Sequence, residues 1–218
     1  KYLKKIVIKK KNFSFNKNSK KHIKAIIVLH AFGHPSRVDE IKKICDKFNI
    51  QLIEDAAEAL GSYYKQKHVG TFGLAGILSF NGNKIITTGS GGAVITNNVK
   101  IFRTIQKLSK ICKKDHAYKY DYDDIGYNYV MPNLNAALGV AQIENLKKFL
   151  YDKKTLFNKL NKSQKLKKFS YIFKEPKNCK SNYWLQILML KNGNLKLRNH
   201  VIEELIKIGL QSRPLWTL

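Results

Sequence analysis

The chain has 218 residues, 41 of them basic and 15 acidic, for a formal charge of +26, and 44% of them are hydrophobic. That apolar content excludes a mainly disordered chain, and the length suits one large domain, alone or with a smaller partner, burying a core without staples. Cys45, Cys112 and Cys179 lie far apart with no C-x-x-C pair, which argues against a disulfide scaffold or a zinc finger and for a reducing cytoplasm.

No apolar run approaches the roughly 18–20 residues that span a bilayer, and the basic start leads into no signal-peptide core, so no membrane association is expected. Only Arg37, Arg103, Arg198 and Arg213 are arginine, and the lysines are spread along the whole chain. The charge therefore describes a solvated surface, and no specific nucleic-acid partner is expected.

Residues 1–24 predict a short irregular or edge segment. Ala25–Leu29 is a continuous β-branched run, the pattern of a strand buried on both faces. After Gly33 and Pro35, Ser36-x-x-Asp39 resembles a capping box. Ile41, Ile44, Cys45 and Phe48 then mark an amphipathic helix ending near Asn49. Ile50–Ile53 is a second strand, so a βαβ unit and a mainly parallel sheet are expected. Gly76–Phe80 and Ala93–Thr96 predict two more strands joined by a glycine-rich turn, and Val99–Cys112 predicts a helix. Tyr118–Tyr129 reads as a tyrosine-rich loop. A long helix should begin at Asn133, with Leu134, Ala137, Leu138, Ala141 and Phe149 on one face, and run into Asn161. Tyr183–Leu190 predicts a strand, and Ile202, Leu205 and Ile206 a helix ending at Gly209. A domain boundary falls near Leu150.

Chemistry concentrates between residues 53 and 92. Glu54 and Asp55 end a buried strand, where ligands bind in parallel α/β sheets, and a carboxylate there is costly unless partnered. Lys84 follows another strand in a constrained turn, and a lysine so placed can form a Schiff base with a carbonyl. An aspartate with a lysine on neighbouring strand ends is the minimal set for pyridoxal phosphate. Spacing alone nevertheless favours a capping aspartate and one lysine among many. Gly89-x-Gly91-Gly92 precedes a strand, not a helix, so it does not form a dinucleotide loop; a tight turn beside Lys84 explains it. His30 ends a buried strand, where it either lines a site or is a hydrogen-bonded structural histidine; His34 is similarly open. With no acidic or histidine cluster at ligand spacing, no metal is expected.

The motifs Glu54-Asp55-Ala56-Ala57-Glu58-Ala59-Leu60-Gly61, Ser79-Phe80-Asn81-Gly82-Asn83-Lys84, Gly89-x-Gly91-Gly92 and Gly126-Tyr127-Asn128-Tyr129 occur in the order of the DegT/StrS sugar-nucleotide aminotransferases. His30–Pro35 before them and Ser212–Trp216 after them look like further landmarks, so the chain resembles that family from about Ile23 onward.

The resemblance implies an α/β fold of the aspartate-aminotransferase type (fold type I), with pyridoxal 5'-phosphate as cofactor. Residues 1–150 would form the cofactor-binding large domain and 151–218 the start of a small domain, with both ends cut short. Lys84 would carry the cofactor and move the proton, and Asp55 would keep the pyridine nitrogen protonated. Glu58 would lie near the ring, unless it is a solvated helix-start carboxylate. Ser79 would contact the phosphate. Asn128 would reach the phosphate of the other subunit, which implies a homodimer with shared sites. The implied reaction is transfer of an amino group, with glutamate as donor, to a nucleotide-linked 4-keto-6-deoxy-N-acetylhexosamine.

Ser79–Gly89, Lys180–Leu185 and the Arg213–Trp216 ending look most like enzymes leading to legionaminic acid or bacillosamine, with the legionaminic-acid branch preferred. Lys84 argues against the dehydrating relatives that lack it. Val130 departs from the arginine common at that point, which weakens the expected hold on phosphate or nucleotide. The rivals are a non-catalytic remnant and a basic nucleic-acid binder, and the short chain alone is not expected to be a competent enzyme.

Overall fold

The computed structural model describes residues 2–216. The chain divides into two units. One runs through Lys154 and takes up Glu175–Leu185 as well; the other comprises Thr155–Lys174 and the chain from Gln186 on. Where the sequence suggests a single boundary near Leu150, the backbone passes between the units after Lys154, after Lys174 and after Leu185.

The first unit opens with helix α1 (Tyr2–Ile6) and an antiparallel hairpin, β1 (Val7–Lys10) with β2 (Phe13–Asn16). The hairpin is anchored from within, because the buried Ser14 hydroxyl donates to the carbonyl of Phe48. Strand β3 (Ala25–Leu29), helix α2 (Val38–Phe48) and strand β4 (Gln51–Asp55) form the expected βαβ unit. The helix has Arg37 as N-cap with no side-chain cap, so the Ser36 capping box does not form. Asp39 instead accepts hydrogen bonds from the Tyr64 hydroxyl (2.8 Å) and Lys65 Nζ (2.6 Å). Asn49 closes the helix in the left-handed conformation that asparagine tolerates.

The short strands β5 (Tyr63–Tyr64) and β6 (Lys67–His68) lead to β7 (Ala75–Ser79) and β8 (Gly92–Ile95). The main sheet has the order β3-β4-β7-β8, with the first three strands parallel and β8 antiparallel to β7. One face is covered: Val28, Leu52 and Leu78 pack with Val38 and Cys45 of α2 in a single core. The other face stays open, with Ile27 69% exposed, so the expectation that β3 is buried on both faces is corrected. The strand lies at the sheet edge, and α2 covers only its Val28 side.

Helix α3 (Val99–Ser109) follows, and the expected long helix is two, α4 (Asn133–Glu144) and α5 (Leu146–Lys162). Asn145 interrupts it, its side chain donating to the Ala141 carbonyl (2.8 Å) in competition with the helical backbone. Leu134 and Leu138, expected on a packed face, are 87% and 43% exposed, while Gly139 is buried against Thr88.

In the second unit, Ser163 caps α6 (Gln164–Phe169), which leads to β9 (Ser170–Ile172). The chain then returns to the first unit, where β10 (Cys179–Lys180) pairs with β5. Of the strand expected over Tyr183–Leu190, only β11 (Leu188–Leu190) forms, antiparallel to β9. Tyr183 has φ 51, which breaks any extended run. Asn194 caps α7 (Leu195–Lys207), and Gly209 follows at φ +81.

Candidate active site

The alternation of β4 separates its two carboxylates. Leu52 and Glu54 point to the covered face, Ile53 and Asp55 to the open one. Glu54 is fully buried and receives four donors. Oε1 accepts from the backbone N–H of Phe72 (2.6 Å) and Gly73 (2.7 Å), and Oε2 from that of Gly70 (2.7 Å) and from His30 Nε2 (3.1 Å). Burial alone would raise its pKa, but the His30 contact and the Gly70 and Gly73 N–H groups outweigh burial and hold it below the ordinary carboxylate value. His30 Nδ1 accepts the N–H of Ser36 (3.1 Å), so the geometry assigns the ring proton to Nε2. His30 is thus a structural histidine that fixes Glu54. The turn at 70–73 needs glycine, since Gly70 has φ +89 and a Cβ on Gly73 would collide with the Leu52 carbonyl oxygen.

Asp55 is half-buried at the carboxyl end of β4, and Oδ1 accepts the N–H of Ala57 (3.1 Å). The parallel register pairs Asp55 with Ile77, so Ser79, two residues on, lies on the same open face at the end of the next strand. Ser79 Oγ accepts the N–H of Asn81 (3.5 Å). The turn after β7 is closed by Phe80 N–H to the Gly91 carbonyl (2.9 Å), Thr88 N–H to the Phe80 carbonyl (3.0 Å) and Lys84 N–H to the Asn81 carbonyl (3.0 Å). Gly89 and Gly91 of that turn have φ +80 and +102, as a tight turn requires.

Lys84 projects from this turn with its side chain only 15% exposed. Nζ lies 3.9 Å from Glu58 Oε1 and 4.2 Å from the centre of the Trp184 ring. Glu58 is buried, so it is no solvated helix-start carboxylate. Oε2 accepts the N–H of Phe32 (2.6 Å). Burial pushes its pKa up, and the charge of Asp55 acts in the same direction, against Phe32 N–H and Lys84. Asp55, Glu58 and Lys84 are therefore near neighbours in electrostatic terms.

Residues 181–184, which lead into the strand expected over Tyr183–Leu190, complete the surroundings. Asn182 is buried; its Nδ2 donates to the carbonyls of Glu58 (2.8 Å) and Leu60 (2.9 Å), and its N–H donates to Ser62 Oγ (3.0 Å). Ser62 in turn donates to the Gly33 carbonyl (2.7 Å), and Ser181 Oγ lies 2.9 Å from His34 Nδ1. Asn182 Oδ1 accepts the N–H of Trp184 (2.8 Å). The stretch Lys180–Leu185 stands out only through its family resemblance; nothing local assigns Asn182 and Trp184 these contacts, because the partners Glu58, Leu60, Ser62 and Asn83 lie a hundred residues or more away.

Asn128 is exposed in the loop between α3 and α4, where its backbone bridges Lys110. Among the described residues no hydrogen bond or ion pair joins it to the other four candidates. Tyr118, Tyr120 and Tyr122 are exposed in the same loop. No group of three or more metal-ligating side chains occurs among the described residues, and no described helix is long and apolar enough to cross a membrane.

The model of the DegT/DnrJ/EryC1/StrS aminotransferase family matches residues 11–218. The chain is similar to GDP-perosamine synthase of Escherichia coli O157:H7, 36% identical over 197 residues, which cover 89% of this chain and 53% of that one. It is 41% identical over 125 residues, 57% of this chain and 33% of the other, to a UDP-4-amino-4,6-dideoxy-N-acetyl-beta-L-altrosamine transaminase of Campylobacter jejuni. Among solved structures it resembles Helicobacter pylori PseC, an aminotransferase of pseudoaminic acid biosynthesis. The TM-score there is 0.77 at 25% identity, over 89% of this chain and 54% of that one. The chain thus spans about half the length of the perosamine synthase and of PseC.

Proposed function

The chain belongs to the DegT/DnrJ/EryC1/StrS aminotransferase family, and from that premise we propose that it forms the core of a pyridoxal phosphate-dependent aminotransferase acting on a nucleotide-linked keto sugar. The observation that carries this reading is the mostly buried Lys84 amine beside Glu58, on the turn that follows the strand next to that of Asp55. The donor set suits the cofactor: an amine for its aldehyde, a carboxylate for its ring nitrogen and a hydroxyl for its phosphate. When bound, pyridoxal phosphate supplies a carbonyl that accepts an amino group and a ring that draws electrons from the bond being broken.

In this proposal Lys84 holds the cofactor covalently and, when free, moves the proton. Asp55, on the open face, holds a proton on the ring nitrogen, and Ser79 donates its hydroxyl to the phosphate. Glu58, whose burial favours the neutral acid, orients the ring and takes up or returns a proton close to Lys84. Asn128, exposed and joined to none of the others by a hydrogen bond or ion pair among the described residues, serves the site of a second copy, so the working form is a homodimer. The unit through Lys154 with Glu175–Leu185 then belongs to the cofactor-binding domain and the other unit to a smaller one. Glutamate is the amino donor, and the acceptor is a 4-keto-6-deoxy-N-acetylhexosamine on UDP or GDP. The names of the similar enzymes, a GDP-perosamine synthase and a UDP-amino-sugar transaminase, support a nucleotide-linked sugar as substrate; a legionaminic-acid precursor is the first candidate on the resemblance of Ser79–Gly89, Lys180–Leu185 and Arg213–Trp216.

The test is an absorbance spectrum of the protein mixed with pyridoxal phosphate, followed by borohydride reduction and peptide mapping. The pyridoxyl group should be found on Lys84. Absence of a bound chromophore, or label on another lysine, would refute the assignment. A panel of UDP- and GDP-linked keto sugars then identifies the acceptor.

A further inference from the structure

Trp184 has no part in the chemistry outlined above, yet it is tied down more closely than burial requires. The residue is 4% exposed and packs with Ile85 and Ile86, directly after Lys84. Its indole N–H donates to the carbonyl of Asn83, directly before Lys84 (2.6 Å). Its backbone N–H is taken by Asn182 Oδ1 (2.8 Å), and its carbonyl accepts Lys153 Nζ (3.1 Å). The ring lies nearly parallel to that of Phe32, with centroids 6.4 Å apart and an angle of 14°.

These ties fix both neighbours of the lysine amine. Glu58 is held through its Oε2 by the N–H of Phe32 and through its carbonyl by Asn182, the residue that also orients Trp184. Lys84 Nζ, 3.9 Å from Glu58 Oε1, is too far for a hydrogen bond, and the π face of Trp184 at 4.2 Å supplies the second contact. A cation over an aromatic face in a largely dry site is attracted by the ring quadrupole, most strongly for tryptophan.

We propose that Trp184 is a positioning residue for Lys84, receiving its free ammonium over the ring, with Glu58 as the other neighbour, and holding the turn that carries it through the Asn83 carbonyl. The lysine amine then has one defined place whenever it is not bonded to a carbonyl compound. This inference rests on the assignment of Lys84 as the reactive lysine, but the contact itself is measurable without cofactor.

The test is competitive labelling of the protein with trace acetic anhydride between pH 8 and 10, reading the Lys84 peptide by mass spectrometry. In Trp184→Leu the site stays apolar but loses the π face. Lys84 should label about threefold faster at a given pH, with its pH profile displaced to lower pH. Trp184→Phe, which keeps an aromatic face, should return the profile most of the way. Simple loosening would raise the reactivity without displacing the profile, and that result, or identical profiles in all three proteins, would overturn the proposal.

A second measurement leaves Trp184 in place, in case Trp184→Leu does not fold. Trp216→Phe leaves Trp184 as the one tryptophan, and its emission should change when Lys84→Met removes the ammonium. Unchanged emission would overturn the proposal. If Lys84 shows the displaced profile but takes no pyridoxyl label, the aminotransferase assignment fails and the contact stands.

Discussion

Glu54→Gln removes the charge of Glu54 and almost none of its volume, so it measures what a buried carboxylate does at the end of β4. The four donors are Phe72 and Gly73 N–H on Oε1 and Gly70 N–H and His30 Nε2 on Oε2. A glutamine must turn its NH₂ toward one pair. Facing Phe72 and Gly73, it leaves two backbone N–H groups against a donor. Facing Gly70, it leaves one such clash and also meets the proton of His30, whose other nitrogen is already committed to Ser36 N–H. Either way two hydrogen bonds to a charged acceptor are lost, at about 1.5–3 kcal/mol each, or about 3–6 kcal/mol in total. That is a large share of the roughly 5–15 kcal/mol that holds a domain together. Urea unfolding at pH 7 should show the loss as a lower midpoint. Hydrogen exchange should speed up first at Gly70, Phe72 and Gly73.

The pH dependence follows the same group. Its folded pKa lies below the unfolded value, so its contribution is complete above the unfolded pKa, about 4.3, and is lost as pH falls through the folded one. The variant should be less sensitive to acid than the unmutated protein. A change under about 1 kcal/mol, or normal exchange at those three amides, would refute the assignment of Glu54 as the anchor of the 70–73 turn.

Gly33 has φ +85, and a Cβ there would lie 1.7 Å from Asn182 Oδ1. Gly33→Ala should therefore cost about 2–4 kcal/mol by urea unfolding, and a neutral result would show that the Asn182 clip yields easily. His34 is held at about 4 by burial, against an ordinary 6.5, so the unfolded chain binds its proton first and stability falls as pH drops from 6.5 to 4, by on the order of 3 kcal/mol in full. His34→Gln should flatten that part of the stability–pH curve, and an unchanged slope would count against it. Asp55→Asn, in a protein that takes up pyridoxal phosphate, should slow the half-reaction with glutamate strongly while leaving uptake measurable; a near-normal rate would give the role to another group. Binding to nucleic acid should be weak and fall steeply with salt, and tight sequence-selective binding at physiological salt would contradict the enzyme assignment.

Elements whose signal is local were legible in the sequence. The β-branched run at Ala25–Leu29 and the recurrence of Ile41, Cys45 and Phe48 announce β3 and α2, because side-chain period and backbone conformation are set by neighbouring residues. The candidates Asp55, Ser79 and Lys84 could be singled out as strand-end groups, but a resemblance to a family was needed to prefer them over a capping aspartate and one lysine among many. Tertiary structure decided the rest. Alternation puts the adjacent Glu54 and Asp55 on opposite faces of β4, and packing of the sheet against α2 decided which face is covered. The edge position of β3 left Ile27 uncovered, and Asn145 divided one expected helix into two. Asn182 and Trp184 joined Glu58 and Lys84 through hydrogen bonds and a ring contact spanning a hundred residues or more. Such contacts leave no periodicity in the chain, since the buried carbonyls that need a donor and the side chain that supplies it meet only when the backbone returns after Lys174.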